Sequence, residues 1–439
     1  MVRRKREALR QEVASKAASA EQSEFPKFNR VWFIGAGFTV AVGYPLGRDL
    51  VADLIAYLQG DMGRLLTAAP QSVRERFSIT LSNRRYADAT ERILKNIECF
   101  SRQYLARSLA ELKTADVAEF FSVAHALAEQ EVLSSTRPTS LQAGSQAGAV
   151  PLRQLYHDLA AVTRTFFVDT CNAVGDWPPD FKSVLKGIQP SDDAIVNFNW
   201  DEEVDFFLTM NRDDDDHTYD VAYTAHSWEE DRFLVLKPHG SIGWYDLAQG
   251  IGNEDMYFIA DHKDRRIDRF DKRLVSYGEF DLPKDIGRRG VFAVECPPVI
   301  TPPTFAKRFP YREQALIWRD IIEVCGRADE FIFLGYSVPP DDYLTRAAIR
   351  SAIAGRSGDA RRKDLKPLNC LVVTKLDEDD QPATNGVIDQ FQKVFGDDFG
   401  KANLLPWTIG DRAYAKSLFR EIRKRLPVAT IGQAPASTP

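Results

Sequence analysis

Polar side chains occupy every second position at the end of one apolar segment, Ala194-Ile195-Val196-Asn197-Phe198-Asn199-Trp200-Asp201. Because side chains alternate between the faces of a strand, we expect Asn197, Asn199 and Asp201 to share one face. Central parallel strands are normally apolar on both faces, so amides near the C-terminal end of such a strand indicate a ligand site. The alternative is that Asp201 caps a helix beginning Glu202-Glu203-Val204 and that the asparagines shape the turn.

A second candidate group is His239, which follows the apolar strand Phe233 to Lys237 in the segment Lys237-Pro238-His239-Gly240-Ser241. Proline ends the strand, the glycine leaves room for a ligand, and an imidazole near neutrality suits general-base work. The alternative is a surface histidine in a turn. No spacing of His, Cys and acidic residues predicts a metal site. The other histidines lie in helical patterns (His125, His157) or in charged loops (His217, His226, His262).

A glycine turn, Gly35-Ala36-Gly37, ends the apolar run that begins at Phe28. In an α/β sheet the first turn from strand to helix can hold a pyrophosphate, because glycines let the backbone approach and the helix start presents N–H groups. A dehydrogenase fingerprint requires a third glycine at position 40, which is Val40 here. The turn therefore does not predict nicotinamide hydride transfer, and a turn that only connects strand and helix is the alternative.

An α/β fold would position these groups. We predict a Rossmann-like, mostly parallel sheet formed by residues 28–60 and 186–426, with a large all-helical insertion at 61–185 after the first strand-helix unit. Residues 1–27 form a helical N-terminal extension in this prediction, Ser134 to Ala149 a loop, and 427–439 a disordered tail. The predicted strands after the insertion are Ala194–Trp200, Phe233–Lys237, Tyr257–Ala260, Gly290–Val294, Phe331–Leu334 and Cys370–Thr374, and the predicted helices are Leu50–Leu58, Tyr311–Ala328 and Tyr343–Ala354.

The composition is that of a globular protein, with 44% hydrophobic and 27% charged residues in a chain of 439. A net charge of -6 provides no basic field, so direct nucleic-acid binding is not expected. The longest charge-free apolar stretch, between Arg30 and Arg48, contains four Gly and one Pro and is too short for a membrane helix. The basic start lacks an apolar signal region, and the five cysteines contain no Cys-x-x-Cys pair, so we expect a reduced, cytoplasmic protein.

Four segments, taken in order, resemble the sirtuin family, and in particular its sirtuin-like bacterial NAD-hydrolase branch. They are Gly35-Ala36-Gly37-Phe38-Thr39 with the later Gly43-Tyr44-Pro45, then Asn197-Phe198-Asn199-Trp200-Asp201, then His239-Gly240, then Leu334-Gly335-Tyr336-Ser337-Val338-Pro339-Pro340. The similarity covers about residues 28–60 and 190–375 and leaves the helical insertion and both ends uncovered.

The resemblance implies a role for each matching residue. Asn199 would lie beside the nicotinamide ribose and position water, Asp201 would support that site, and His239 would be the base. The residues implied at the NAD phosphates are Gly35, Ala36, Gly37 and Thr39, and those implied at the adenosine ribose are Gly335 and Ser337.

Several positions depart from the family pattern. Thr39 stands in place of the usual Ser and keeps the hydroxyl, whereas Leu46-Gly47-Arg48 replaces the Asp-Phe-Arg of deacylating members. Val373-Thr374 ends the last predicted strand where many members have Asn. The four-cysteine zinc module of deacylating members is missing, so no zinc is expected, and hydrolysis of NAD+ itself is favoured over deacylation.

The resemblance therefore predicts a NAD+ glycohydrolase that releases ADP-ribose and nicotinamide, as the effector of an antiphage defence system acting by NAD+ depletion. The insertion and the terminal segments are where we expect self-assembly into a homo-oligomer, or binding of a regulatory partner such as a HerA-type ATPase or a short Argonaute. Two alternatives stay open: a non-catalytic sensor of NAD+ or ADP-ribose, and a NAD-dependent protein deacylase or ADP-ribosyltransferase.

Overall fold

The computed structural model describes residues 25–60, 84–134, 152–174, 177, 179–210, 220–225, 227–246, 268–269, 274–276, 298–302, 312–340, 342–358, 369–375, 390–391, 393–394 and 403–407. Several predicted segments lie outside the described residues. These are residues 1–24 of the N-terminal extension, residues 135–149 of the loop, the strands Tyr257–Ala260 and Gly290–Val294, and the tail 427–439.

Seven strands form one sheet in which every adjacent pair is parallel. The prediction of an α/β, Rossmann-like fold is confirmed. The strands are β1 Arg30–Ile34, β2 Asp193–Asn197, β3 Asp220–Ala222, β4 Arg232–Leu236, β9 Glu330–Leu334, β10 Asn369–Lys375 and β11 Asn403–Trp407. Their spatial order is β11, β10, β9, β1, β2, β4 and β3.

The central strand β1 is buried along its whole length, as expected for an apolar run covered on both faces. It lies between β2 and β9, and its last residue, Ile34, is in register with both Asn197 and Leu334. Val196 is in register with Leu236 of β4. The segments that follow these four strands therefore leave the sheet along one edge, which is where α/β sheets bind ligands.

Only helices are found among the described residues between the first strand-helix unit and β2. The predicted apolar faces are buried, including Ile93, Ile97 and Phe100, but the helix that carries them ends at Phe100 and Tyr104 is exposed in a π-helical turn, Ser101–Leu105. The helix bounds are α1 Ala36–Thr39, α2 Gly47–Leu58, α3 Arg84–Phe100, α4 Leu109–Leu112, α5 Val117–Ser134, α6 Leu152–Val174, α7 Pro179–Lys186, α8 Glu203–Met210, α9 Arg312–Arg327 and α10 Tyr343–Gly358.

A second, antiparallel sheet was not predicted. It comprises β5 Gly240–Asp246, β6 Asp268–Arg269, β7 Leu274–Ser276 and β8 Pro298–Ile300 in the spatial order β6, β7, β5, β8. The first of these strands begins directly after His239, so this sheet fixes the backbone beyond the histidine. None of the helices in the described ranges combines the length and the apolar character that crossing a membrane requires.

Candidate active site

A cavity of about 360 Å³ lies at the carboxyl edge of the parallel sheet. All four motifs contribute to its wall, although positions 35 and 335 are 300 residues apart. The helical insertion closes another part of the wall with Asp116, Val117 and Ala118 at the start of α5 and with Phe167 of α6. Every predicted site residue lines the cavity: Gly35, Ala36, Gly37, Thr39, Asn199, Asp201, His239, Gly335 and Ser337.

The glycine turn packs backbone against backbone on the loop after β9. The N–H of Gly35 donates to the carbonyl of Leu334 and the N–H of Gly37 donates to the carbonyl of Gly335, both at 3.0 Å. A Cβ atom at Gly35 would lie 2.7 Å from the Gly335 oxygen, and one at Gly37 would lie 2.9 Å from the Gly335 Cα atom. The two glycines are therefore required by this close approach. Their N–H groups are already used in hydrogen bonds to the loop after β9.

The turn does not lead directly into a long helix. It opens onto the four-residue helix α1 and a 3₁₀ turn, Val40–Val42, which ends at Gly43 with a φ of 94°. Such a left-handed conformation suits glycine and redirects the chain before α2 begins at Gly47. The predicted helix is α2, which begins eleven positions after Ala36 (47 - 36). The positive end of its dipole is therefore not at the glycine turn.

Gly335 is the matching glycine on the opposite strand end. Its φ of 60° is left-handed, and a Cβ atom there would lie 2.1 Å from the backbone nitrogen of Phe38. The next residue, Tyr336, stacks its ring on Phe198 with centroids 3.8 Å apart and planes 7° from parallel. Gly335 thus lets two strand ends meet, and the stacked rings join the second motif to the fourth.

The predicted alternation of the Asn197 motif is wrong beyond the first asparagine, because β2 ends at Asn197. The Asn197 side chain is fully buried, and its oxygen accepts from the N–H of Asn199 at 3.1 Å. Asp201 accepts from the N–H of Glu203 at 3.2 Å at the start of α8. The alternative, with an asparagine shaping the turn and Asp201 capping the helix, is therefore confirmed, although Asp201 also lines the cavity.

Asn199 connects the motifs of the two central strands. Its side-chain N–H donates to the hydroxyl oxygen of Thr39 at 3.3 Å, and the Thr39 hydroxyl donates to the carbonyl of Ala36 at 3.3 Å. Both side chains are almost fully buried at the cavity wall. This chain of hydrogen bonds holds the Asn199 amide in one orientation beside the glycine turn.

Buried charges lie behind this wall. Burial raises the pKa of Asp201 to about 7, Lys237 acts to lower that pKa, and Glu203 acts to raise it. Lys237 is fully buried, and its ammonium group donates to the carbonyl of Asp201 at 2.6 Å and to the carboxylate of Asp205 at 3.1 Å. The cation therefore stabilises the acidic start of α8 and connects β4 to the Asp201 turn.

The insertion is tied to the same helix start by hydrogen bonds. The Tyr44 hydroxyl donates to Glu203 at 2.7 Å, and the indole N–H of Trp177 donates to the other oxygen of that carboxylate. The Tyr44 hydroxyl oxygen also lies 3.3 Å from the carbonyl oxygen of Phe167 in α6, which is within reach of the same hydrogen. A buried carboxylate needs such donors, so the insertion and the Asp201 turn are held together.

His239 is buried, with 3% of its surface exposed, so the alternative of a surface histidine is wrong. Its Nδ1 atom lies 3.2 Å from the carbonyl oxygen of Thr301, and its Nε2 atom lies 3.2 Å from Oδ2 of Asp342. Gly240 follows with a φ of 75°, and a Cβ atom there would lie 2.1 Å from the carbonyl oxygen of Val299. The neighbouring strand β8 therefore holds the histidine loop closely.

Asp342 is a cavity residue that the sequence analysis missed. Its Oδ2 atom accepts from the Tyr336 hydroxyl at 2.8 Å and from the Thr345 hydroxyl at 2.7 Å, in addition to its contact with His239. The available signal was an acidic residue directly before a helical pattern, after two prolines. That signal predicts a helix cap rather than a partner for a histidine 103 positions away.

A scan against protein-family models and a search of curated protein sequences each found no match to this chain. The sirtuin resemblance therefore rests on the four motifs and their order. Within the part of the chain that the structure describes, no group of three or more His, Cys, Asp or Glu side chains is arranged to hold a metal ion.

Proposed function

We propose that this protein is a NAD+ glycohydrolase that cleaves NAD+ to ADP-ribose and nicotinamide. One observation carries the proposal: four short motifs, dispersed over 300 residues from Gly35 to Gly335, form the wall of a single cavity at the carboxyl edge of a parallel sheet. That edge is the general ligand site of open α/β sheets, and a cavity of about 360 Å³ lies within the range of small-molecule sites.

The proposed cleavage of NAD+ requires little covalent catalysis. Nicotinamide leaves as a neutral molecule and the ribose passes through an oxocarbenium-like state, so the protein has to hold the ribose, exclude bulk water and orient one water molecule. In this proposal Asn199 orients the water, with its amide fixed by Thr39. On the wall, the Asp342 carboxylate favours the positive charge that develops on the ribose, and Asp201 supports the site by accepting from the Glu203 N–H.

The reaction of NAD+ with water yields ADP-ribose, nicotinamide and one proton, and we assign that proton to His239. General-base catalysis of this kind contributes roughly 100- to 10,000-fold. In this proposal the phosphates lie along the glycine turn, whose residues line the cavity. Ser337, on the loop after β9, supplies a hydroxyl for the adenosine ribose.

We also propose that the activity serves antiphage defence through NAD+ depletion, with the helical insertion as the regulatory part. The insertion supplies cavity residues and is bonded to the Asp201 turn through Trp177 and Glu203. A partner or a second copy bound to these helices would therefore act on the cavity wall directly. Cytoplasmic location follows from the substrate in this proposal.

Nicotinamide release from NAD+ by the purified protein tests the function. The assay compares wild type with Asn199→Ala, His239→Ala and a matched control, His125→Ala, which removes a histidine from α5. We expect at least about a 100-fold loss in both site variants and wild-type rates in the control. Full activity in both site variants would contradict the assigned roles.

The assay also separates the alternatives. It is run with the protein alone, with candidate partners and with extract of infected cells. Tight NAD+ binding without turnover under all three conditions indicates a sensor. NAD+ loss that requires a protein acceptor indicates a deacylase or an ADP-ribosyltransferase.

A further inference from the structure

One imidazole, that of His239, faces two hydrogen-bond acceptors. The Thr301 carbonyl can only accept, so Nδ1 has to carry a hydrogen. Nε2 is therefore the nitrogen that gains and loses a proton, and it faces a carboxylate oxygen of Asp342 at 3.2 Å. The backbone also fixes this arrangement, since the Thr301 N–H donates to the carbonyl of His239 at 2.7 Å.

Groups from three other described segments contact the ring or its hydrogen-bond partners. Phe198, after β2, contacts the ring edge-to-face at 5.6 Å between centroids. Tyr336 and Asp342 come from the segment between β9 and α10, and Thr301 follows β8. The remaining titratable groups on the cavity wall are the carboxylates Asp116 and Asp201 and the Tyr44 hydroxyl.

Asp342 accepts hydrogen bonds from two hydroxyl groups. Hydroxyl donors from Tyr336 and Thr345 both reach the oxygen that faces Nε2, and hydrogen bonds to a carboxylate favour its charged form. The carboxyl group is almost fully buried, as is the imidazole, so the two interact in a low-dielectric environment. A carboxylate held in this way orients a histidine and stabilises its protonated form.

We propose that Asp342 is a positioning residue that fixes the His239 ring and stabilises the proton that its Nε2 atom accepts. The catalytic part of this inference rests on the proposed function. There, water loses a proton to the His239–Asp342 pair, which holds it between Nε2 and Oδ2, as the water oxygen bonds to the ribose carbon and the bond to nicotinamide breaks. Asp342 stabilises the resulting imidazolium, which then releases the proton to solvent.

Nuclear magnetic resonance of the full chain labelled with ¹⁵N-histidine tests the inference without any assay of activity. The signals of His239 are identified by their loss in His239→Gln, and the pH at which Nε2 is half protonated is measured. In Asp342→Asn this midpoint falls by at least about 1 pH unit, because a neutral amide replaces a charge in contact. Nδ1 stays protonated throughout.

A second variant gives a shift of opposite sign. Thr345→Val keeps the charge of Asp342 but removes one hydroxyl donor from its oxygen. The less stabilised carboxylate attracts the proton more strongly, so the midpoint rises. This variant keeps the inference falsifiable if Asp342→Asn does not fold. The matched control Asp116→Asn removes another carboxylate of the same cavity and shifts the midpoint by clearly less than Asp342→Asn.

An unchanged midpoint in Asp342→Asn, or a fall in Thr345→Val, would overturn the inference. In the hydrolysis assay the acidic limb of the pH profile moves in the same direction as the midpoint of each variant. If the variants show the predicted shifts of the midpoint but the wild-type protein hydrolyses no NAD+, the proposed function alone is removed. Hydrolysis with unchanged midpoints removes the role of Asp342 alone.

Discussion

The two sides of the cavity are built in different ways. The glycine side, Gly35, Gly37 and Gly335, is shaped by the absence of side chains, since added Cβ atoms would meet backbone at 2.9 Å or less. The polar side consists of Asn199, Asp201 and His239. Partners distant in sequence hold the side chains of Asn199 and His239 and the main-chain carbonyl of Asp201. A steric requirement can be met by one residue type, whereas a polar group depends on donors and charges supplied elsewhere.

This difference predicts how substitutions act. On the polar side, damage comes from leaving a buried charge without its partner, and a second substitution can relieve it. On the glycine side, damage comes from the collision of an added Cβ atom with the facing main chain. No single substitution of a partner relieves that collision. Three experiments separate these mechanisms.

The largest loss of stability is expected for Lys237→Met, directly behind the polar side. The fully buried ammonium group contacts Asp205 and the Asp201 carbonyl, and its removal leaves buried carboxylates uncompensated. Breaking such a pair costs about 3–5 kcal/mol of unfolding free energy, which urea denaturation measures. Adding Asp205→Asn should recover part of the loss. If the double variant is no more stable than Lys237→Met, charge compensation is the wrong explanation.

Gly335→Ala is expected to cost about 2–5 kcal/mol, from a left-handed conformation and overpacking together. Its φ is 60°, and the new Cβ atom would meet the Phe38 nitrogen at 2.1 Å. Gly60→Ala is the matched control, because Gly60 has a φ of 75° but is exposed at the end of α2. Equal losses of stability in the two variants would show that the left-handed conformation alone explains why position 335 requires glycine. The close approach of the two strand ends would then contribute nothing.

The smallest effect is a change in pH dependence in Asp201→Asn. Because the pKa of Asp201 is raised to about 7, the folded state binds the proton more tightly than the unfolded state. This carboxyl therefore makes the wild type lose stability as pH rises from about 4 to about 7, and contributes no further change above that. Asparagine keeps an oxygen for the Glu203 N–H and does not titrate.

Urea denaturation of both proteins between pH 5 and pH 7.5 measures this difference. Relative to Asp201→Asn, the wild type should lose about 2 kcal/mol over that interval, since each unit of pKa shift corresponds to about 1.4 kcal/mol. Parallel stability curves would contradict a carboxyl that titrates in this window.

Five of the seven strands of the parallel sheet were predicted, because each of them is marked by its own local pattern, whereas β3 and β11 were not predicted. β1 and β9 are short apolar runs that end in glycine, and both were found within one or two residues of their observed bounds. The antiparallel sheet was missed because β5, Gly240-Ser241-Ile242-Gly243-Trp244-Tyr245-Asp246, has two interior positions of Ser and Gly and lacks the β-branched run that marks a strand.

The site was predicted only as far as its residues carry a local signal. All nine predicted residues line the cavity. The predicted alternation was extended past Asn197, where β2 ends. The turn there is made by a hydrogen bond from the Asn199 N–H to the Asn197 side chain, which the hydrophobic periodicity of the sequence does not reveal. Asp342 was missed because its role depends on its contact with His239. A single sequence does not reveal a contact between positions so far apart.

The central position of β1 has a consequence for synthesis. Its Arg30 pairs with Asp193 on one side and with Glu330 on the other, so a strand made near the beginning of translation waits for partners 163 and 300 residues later (193 - 30 and 330 - 30). Pairing over such distances is slow and exposes strand edges. The cavity wall is incomplete until Asp342 leaves the ribosome, so a nascent chain carries no finished pocket during most of its elongation.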